Sequence, residues 1–143
     1  MNDQPTLEIP QGFGQLVGYR LAVWQPDYAE LVLGLAPRHL NRNKVPHGGV
    51  LVTMIDTAAG YAGCYCAEPG RVRRAMTLSL TTSFIAAATA DATLTAKAWR
   101  TGGGQSIFFA RCELVDDTGR LIATGEGSFK YRRGSEDPKG VPA

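Results

Sequence analysis

Asp56 stands inside the run Val50-Leu51-Val52-Thr53-Met54-Ile55-Asp56-Thr57-Ala58-Ala59-Gly60-Tyr61-Ala62-Gly63, whose other members are almost all apolar or small. A carboxylate in such surroundings is costly to desolvate unless it is paired or hydrogen-bonded. Two readings are open: Asp56 turns to solvent or a structural arginine, or it is a base or nucleophile held in a dry site. Immediately upstream lies His47-Gly48-Gly49. A helix start leaves free backbone N–H groups and a partial positive charge, and glycine lets a ligand approach that backbone closely. Gly48 and Gly49 therefore either permit a tight turn and nothing more, or hold a carbonyl oxygen that becomes negative.

Spacing limits how these residues cooperate. If Gly48 starts a helix, Asp56 lies about 12 Å further along its axis, at ~1.5 Å per residue. A general base and an oxyanion donor must both come within ~3 Å of one reacting centre. One copy of the helix does not meet that requirement. If both residues are catalytic, Gly48 of one subunit works with Asp56 of another, and a two-fold dimer with antiparallel helices builds two such sites.

The elements that position them follow from pattern. Residues 50–63 are long for a strand, and Leu51, Ile55, Ala58 and Ala62 recur at helical spacing, so the run is read as a buried helix. A short helical turn is expected over 10–17. Strands are expected over 19–25 and 28–35, joined at the turn dipeptide Pro26-Asp27, and over 73–84, 92–100, 107–115 and 121–131. Asp116-Asp117-Thr118-Gly119 reads as a hairpin turn, and Thr101-Gly102-Gly103-Gly104-Gln105 as a looser one. One apolar helix and about six antiparallel strands give an α+β fold, with the sheet wrapped around the helix. Residues 1–9 are expected as a flexible leader, 10–133 as the domain and 134–143 as a flexible tail.

Composition agrees with one compact domain. The 143 residues are 44% apolar and 20% charged, with a formal net charge of +2. A chain of this size supports a core without disulfides or structural metal, and its charge balance argues against a nucleic-acid binder. No run approaches the ~20 apolar residues of a membrane span, and the polar N-terminus does not read as a secretory signal, so a cytoplasmic location is expected. Cys64, Cys66 and Cys112 lack ligand spacing and are read as small core residues; no metal site is expected. Of the 17 glycines, Gly60 and Gly63 are read as allowing close helix packing.

Asn41-x5-His47-Gly48-Gly49, then Asp56, then Met76-Thr77-Leu78-Ser79-Leu80, resembles the hotdog-fold acyl-CoA thioesterases, in particular the phenylacetate-degradation branch of the 4-hydroxybenzoyl-CoA thioesterase superfamily. The likeness covers roughly residues 13–131. It implies a hotdog fold, with a six-stranded antiparallel sheet around one long helix. It implies hydrolysis of an aryl- or fatty-acyl-CoA to free acid and CoA, with no cofactor beyond the CoA of the substrate. Asp56 would be base or nucleophile and the Gly48 N–H the oxyanion donor from the neighbouring subunit. Asn41 would position the water or the carboxylate, His47 would orient the turn, and Thr77 would offer a hydroxyl to the reacting water. For substrate binding it implies Gly49, Ser79, and Arg100, Gly103 and Ser106 around the glycine-rich loop. It also implies a homo-oligomer, as a dimer of dimers.

Arg71, Arg73 and Arg74 form a second basic cluster, either meeting CoA phosphates or simply solvated. Tyr61, Tyr65 and Phe84 either line a pocket for an aromatic acyl group or belong to the core. Two alternatives stay open. A hotdog dehydratase acting on a hydroxyacyl thioester would pair a histidine with an acid across the dimer, and only His39 and His47 are present. A non-catalytic acyl-CoA-binding hotdog protein would retain affinity without turnover.

Overall fold

The computed structural model describes residues 7–143. A short helix α1 (Phe13–Val17) leads into β1 (Arg20–Gln25) and β2 (Tyr28–Gly34), followed by the central helix α2 (Gly48–Ala62). Then come β3 (Arg71–Val72), β4 (Ala75–Phe84), β5 (Thr93–Gly103), β6 (Ile107–Val115), β7 (Leu121–Tyr131) and β8 (Val141–Pro142). Six strands form one antiparallel sheet in the order β1-β2-β5-β6-β7-β4, and β3 pairs with β8 apart from it. The α+β fold with a sheet wrapped around one long helix is as the sequence implies.

The helix forms where apolar spacing places it. Leu51, Met54, Ile55, Ala58, Ala59 and Ala62 are buried against the sheet. They meet Leu31, Leu33, Leu94, Phe108, Leu114 and Phe129, each alternating with outward residues along its strand, and Ile122, which is followed by the equally buried Ala123 at a register shift. Small residues set how closely the layers approach. A Cβ at Gly63 would collide with the Phe108 ring, and one at Gly125 with Ile55 Cγ2. Gly60 differs: a Cβ there would come no nearer than 4.0 Å to Phe129. Its bareness leaves open space rather than close packing, correcting half of the Gly60 and Gly63 expectation. The three cysteines are buried free thiols, and burial pushes those of Cys64 and Cys112 up to about 12.

Two further expectations change. Gly102 and Gly103 belong to β5, which runs through Gly103 to pair with Phe108, so the hairpin is tighter than a loose loop. Residues 134–143 are not a flexible tail. Arg71 donates to the Lys139 and Gly140 carbonyls, Arg73 Nε donates to the Ser135 carbonyl at 2.9 Å, and the Ser135 hydroxyl, itself buried, accepts the Arg74 N–H. The polar composition that suggested fraying is satisfied by arginines more than sixty residues away. Of the expected leader, residues 1–6 lie outside the described residues; 7–9 have no regular structure.

Candidate active site

The loop before α2 is built by Asn41. Its Oδ1 accepts the Asn43 N–H at 2.8 Å and the Val45 N–H at 3.4 Å, while its own N–H donates to the Val45 carbonyl. Lys44 turns through positive φ, 59°, and Leu40 bridges to Pro46. The Asn41 carboxamide oxygen is thus spent on the loop. His39 beneath is buried, with Nδ1 accepting the Ala36 N–H and Nε2 bonded to the Val17 carbonyl.

His47 is the N-cap of α2, and its Nδ1 accepts the Gly49 N–H at 2.8 Å. That bond occupies the Gly49 donor. The Gly48 N–H, the first of the helix, has no acceptor among the described residues. The Phe84 ring lies beside it: a Cβ at Gly48 would sit 3.4 Å from that ring. Of the two glycines, only Gly48 retains a free N–H in the partial positive field of the helix start.

Eight residues on, Asp56 leaves the buried side of the helix, and its Oδ1 accepts a 2.6 Å hydrogen bond from Thr77 Oγ1 on β4. The pair borders a cleft of about 360 Å³, lined along the helix by Thr57, Gly60, Tyr61 and Cys64 and across from it by Ala75 and Phe129. Glu8, Arg73, Arg74 and Arg132 complete the wall. Tyr61 donates its hydroxyl to Glu8 at 2.9 Å, and burial, then the Glu8 charge, push its phenol above the ordinary tyrosine range. The dry surroundings expected for Asp56 are absent from the single chain, because the cleft is open and Asp56 only partly buried.

The other expected residues lie elsewhere. A register shift in β4 between Thr77 and Ser79 puts Thr77 opposite the buried Phe129 but Ser79 opposite Ser128, which itself pairs with the exposed Phe109. Ser79 therefore faces away from Asp56. Arg100 lines a separate cavity of about 680 Å³ with Arg73, Gly104, Gln105 and Tyr131, and its buried Nε has no partner among the described residues. Gly103, at φ 137°, is glycine because a Cβ would strike the Ile107 carbonyl; β6, not a ligand, demands it. Ser106 accepts the Tyr131 N–H through its carbonyl and borders a third depression with Lys130, Arg132 and Arg133. The structure thus joins Asp56 to Thr77 and His47 to Gly49, and keeps Ser79, Arg100, Gly103 and Ser106 out of the Asp56 cleft.

Tyr61 lines that cleft, whereas Tyr65 packs on Trp24 at a 6.0 Å centroid distance and Phe84 lies at Gly48. Sequence reasoning missed Glu8, Phe129 and Arg132. Glu8 sat in a segment read as a leader and Arg132 beside one read as a tail, and neither carries a local signal. Among the described residues no group of three or more histidines, cysteines or acids is placed to hold a metal, and no helix is long and apolar enough to cross a membrane.

A family model described as the thioesterase superfamily matches residues 43–123, more than half of the chain. Among solved structures, the fold is similar to the E. coli PaaI protein from the phenylacetic acid degradation operon, with 24% identity, TM-score 0.73 and 83% of each chain covered. It is also similar to the conserved protein PA5202 of Pseudomonas aeruginosa, with 26% identity and TM-score 0.76 over 86% of this chain and 95% of that one. The thioesterase HI1161 of Haemophilus influenzae superposes with 19% identity and TM-score 0.74 over 83% of this chain and 81% of the other. No curated protein matches the chain. With its central helix, its six-stranded wrap and the matched segment from Asn43 through the whole of α2, the chain belongs to the thioesterase superfamily and is a hotdog-fold thioester hydrolase.

Proposed function

We propose that this chain hydrolyses acyl-CoA thioesters in a site completed by a second copy. The observation that carries the reading is the Asp56–Thr77 hydrogen bond at 2.6 Å on the rim of an open cleft. Thr77 holds one carboxylate oxygen and leaves the other free. That oxygen either takes a proton from water as the water attacks the thioester carbonyl, or attacks the carbonyl itself to give an anhydride that water then opens. On either course the carbonyl oxygen becomes negative, the Gly48 N–H of the neighbouring subunit donates to it, and collapse expels the CoA thiolate, which is protonated. Water and thioester become acid and thiol.

The second copy is argued from the edge of the sheet. β4 is the last strand in the order and carries Leu78 and Phe84 at 50% and 58% exposure, with Met76 and Ile85 also exposed. An open edge with apolar side chains invites pairing with another strand. A copy joined antiparallel along β4 carries its Gly48 toward Asp56 of the first and closes the cleft to water. Assembly of such dimers in pairs and a cytoplasmic location belong to the same reading. His47 acts through the cap and Asn41 through the loop, both placing Gly48. The CoA moiety runs outside the Asp56 cleft, where Arg100, Gly103 and Ser106 of the neighbouring copy meet it. A dehydratase is disfavoured because the rings of both histidines are engaged on backbone groups of the chain.

A thiol-release screen over aromatic, short and long acyl-CoA esters tests the proposal. Turnover is expected on at least one class, with a loss of about 100-fold or more in Asp56→Asn. Absence of turnover across the panel refutes hydrolysis. Tight binding that persists in Asp56→Asn, without wild-type turnover, points instead to a binding protein.

A further inference from the structure

The Asp56 cleft is not neutral along its length. Near Asp56 its floor is bare or apolar, from Gly60, Ala75 and Phe129. Its far wall holds three guanidinium groups, on Arg73, Arg74 and Arg132. Arg73 is committed: it donates to the Ser135 carbonyl and lies 4.2 Å above the Tyr131 ring. The guanidinium groups of Arg74 and Arg132 have no hydrogen-bond or ion-pair partner among the described residues; the Arg132 N–H bonds to the Arg74 carbonyl, which keeps the two residues side by side. Among the described residues, Glu8 is the carboxylate that lines the cleft besides that of Asp56, and it already accepts from Tyr61; Glu136 borders Arg132 in the neighbouring depression without forming an ion pair. An acyl chain whose carbonyl sits at Asp56 would cross this floor and end against two arginines that have no partner among the described residues.

Resting on the thioesterase reading, we propose that the preferred acyl group carries an anion at the end remote from the thioester, a carboxylate of a dicarboxylic monothioester, bound by Arg74 and Arg132. Arg–carboxylate pairs are charge-assisted and often bidentate, which suits two adjacent unpaired guanidiniums. Length separates this source of negative charge from the CoA phosphates. From Thr77 to Arg74 the chain advances three residues, about 10 Å at ~3.3 Å each. A five-carbon dicarboxylic acyl group covers about half of that distance and the long arginine side chains reach over the rest, whereas the pantetheine arm carries its phosphates well beyond it. The arginines thereby act as specificity residues, separate from the Asp56 chemistry.

The test compares thiol release from glutaryl-CoA and pentanoyl-CoA, which share acyl length and the whole CoA moiety and differ in the terminal carboxylate. The wild type is expected to favour glutaryl-CoA in kcat/KM by about 10-fold to 100-fold, the scale of a hydrogen bond to a charged group. In Arg74→Ala/Arg132→Ala that ratio falls toward one, and Arg74→Lys falls between. Equal turnover of the two esters by the wild type, or preference for pentanoyl-CoA, overturns the inference. So does an equal loss on both esters in the double variant with the ratio kept, since the arginines would then serve the shared CoA phosphates. If neither ester releases thiol, the hydrolytic reading fails for them, and calorimetric binding of both to Asp56→Asn decides the inference separately. Tighter binding of glutaryl-CoA that is lost with the arginines supports it, and equal binding refutes it.

Discussion

Replacing Gly48 by proline removes one N–H and little else. Gly48 is the first residue of α2, where proline is favoured because that N–H has no partner in the helix. The preceding His47 already sits at φ −63° and ψ 134°, the extended region that a following proline requires. The cap survives, since it uses the Gly49 N–H. If the Gly48 N–H stabilises the oxyanion, Gly48→Pro loses about 100-fold to 1000-fold in kcat, ~2.7–4 kcal/mol, with the fold intact by circular dichroism and thermal melting. Gly48→Ala is the control. It keeps the N–H and adds a methyl group 3.4 Å from the Phe84 ring, an ordinary contact, so activity stays within several-fold of wild type.

The same variant tests whether the site is shared. In a dimer with one Gly48→Pro chain and one Asp56→Asn chain, one site combines both lesions and the other combines native Gly48 with native Asp56. Random exchange of equal amounts makes about half of the dimers mixed, each with one of two sites intact, so thiol release recovers to about a quarter of wild type. Both parents alone stay near background. If exchange is demonstrated by mass and the mixture remains at the parental level, Gly48 and Asp56 do not act across a subunit boundary. The ~12 Å separation along the helix would then no longer bear on the mechanism.

Four further outcomes follow from named contacts. Thr77→Val removes the 2.6 Å bond to Asp56 and lowers kcat about tenfold, while Thr77→Ser keeps most activity; steady-state thiol release separates the two, and equal rates would discount the bond. Gly63→Ala drives a methyl group into Phe108, which stacks 5.0 Å from Phe129, and costs about 1–3 kcal/mol in urea unfolding. Gly60→Leu fills open cleft space instead, raising KM with little change in Tm; a large fall in Tm would place Gly60 in the packing. The thiols of Cys64 and Cys112, pushed by burial from 9.0 to about 12, resist alkylation in the native state. Their folded pKa values lie above the unfolded ones, so the unfolded chain loses protons first as pH rises past 9.0, and stability falls between there and about 12; a flat denaturation midpoint over that window contradicts it.

How much was legible in the sequence depends on the range of the interactions. The Pro26-Asp27 turn, the helix around Leu51, Ile55, Ala58 and Ala62, and the alternation in β6 are local patterns, and each element lies where its pattern places it. The strand expected over 73–84 begins at Ala75, where the Arg73 side chain and the Arg74 N–H turn to Ser135, a partner no local pattern shows. The packing of residues 134–143 is hidden for the same reason, since the segment looks solvated until the Ser135, Lys139 and Gly140 carbonyls meet Arg73 and Arg71. In the site, chemistry and spacing singled out Asp56, Gly48 and His47. The β4 register shift that sends Thr77 inward and Ser79 outward is a single-residue event, and one residue is enough to reverse the face a strand residue presents.

The C-terminal segment carries a consequence for the cleft itself. Arg73 borders both the Asp56 cleft and the larger cavity of Arg100, and its position is held by the Ser135 carbonyl on one side and the Tyr131 ring on the other. Ser135 in turn receives the Arg74 N–H, and its own N–H donates to the Arg132 carbonyl, so one buried serine ties together the backbone of the residues flanking the cleft's charged end. Removing its hydroxyl in Ser135→Ala leaves the Arg74 N–H without an acceptor, at about 1–3 kcal/mol if that group stays out of water. The geometry of Asp56 and Thr77 depends on neither residue. The loss therefore falls on stability and on the placement of Arg74, not on the Asp56–Thr77 hydrogen bond: the polar end of the cleft is maintained by the chain's last ten residues and the reacting end by its central helix.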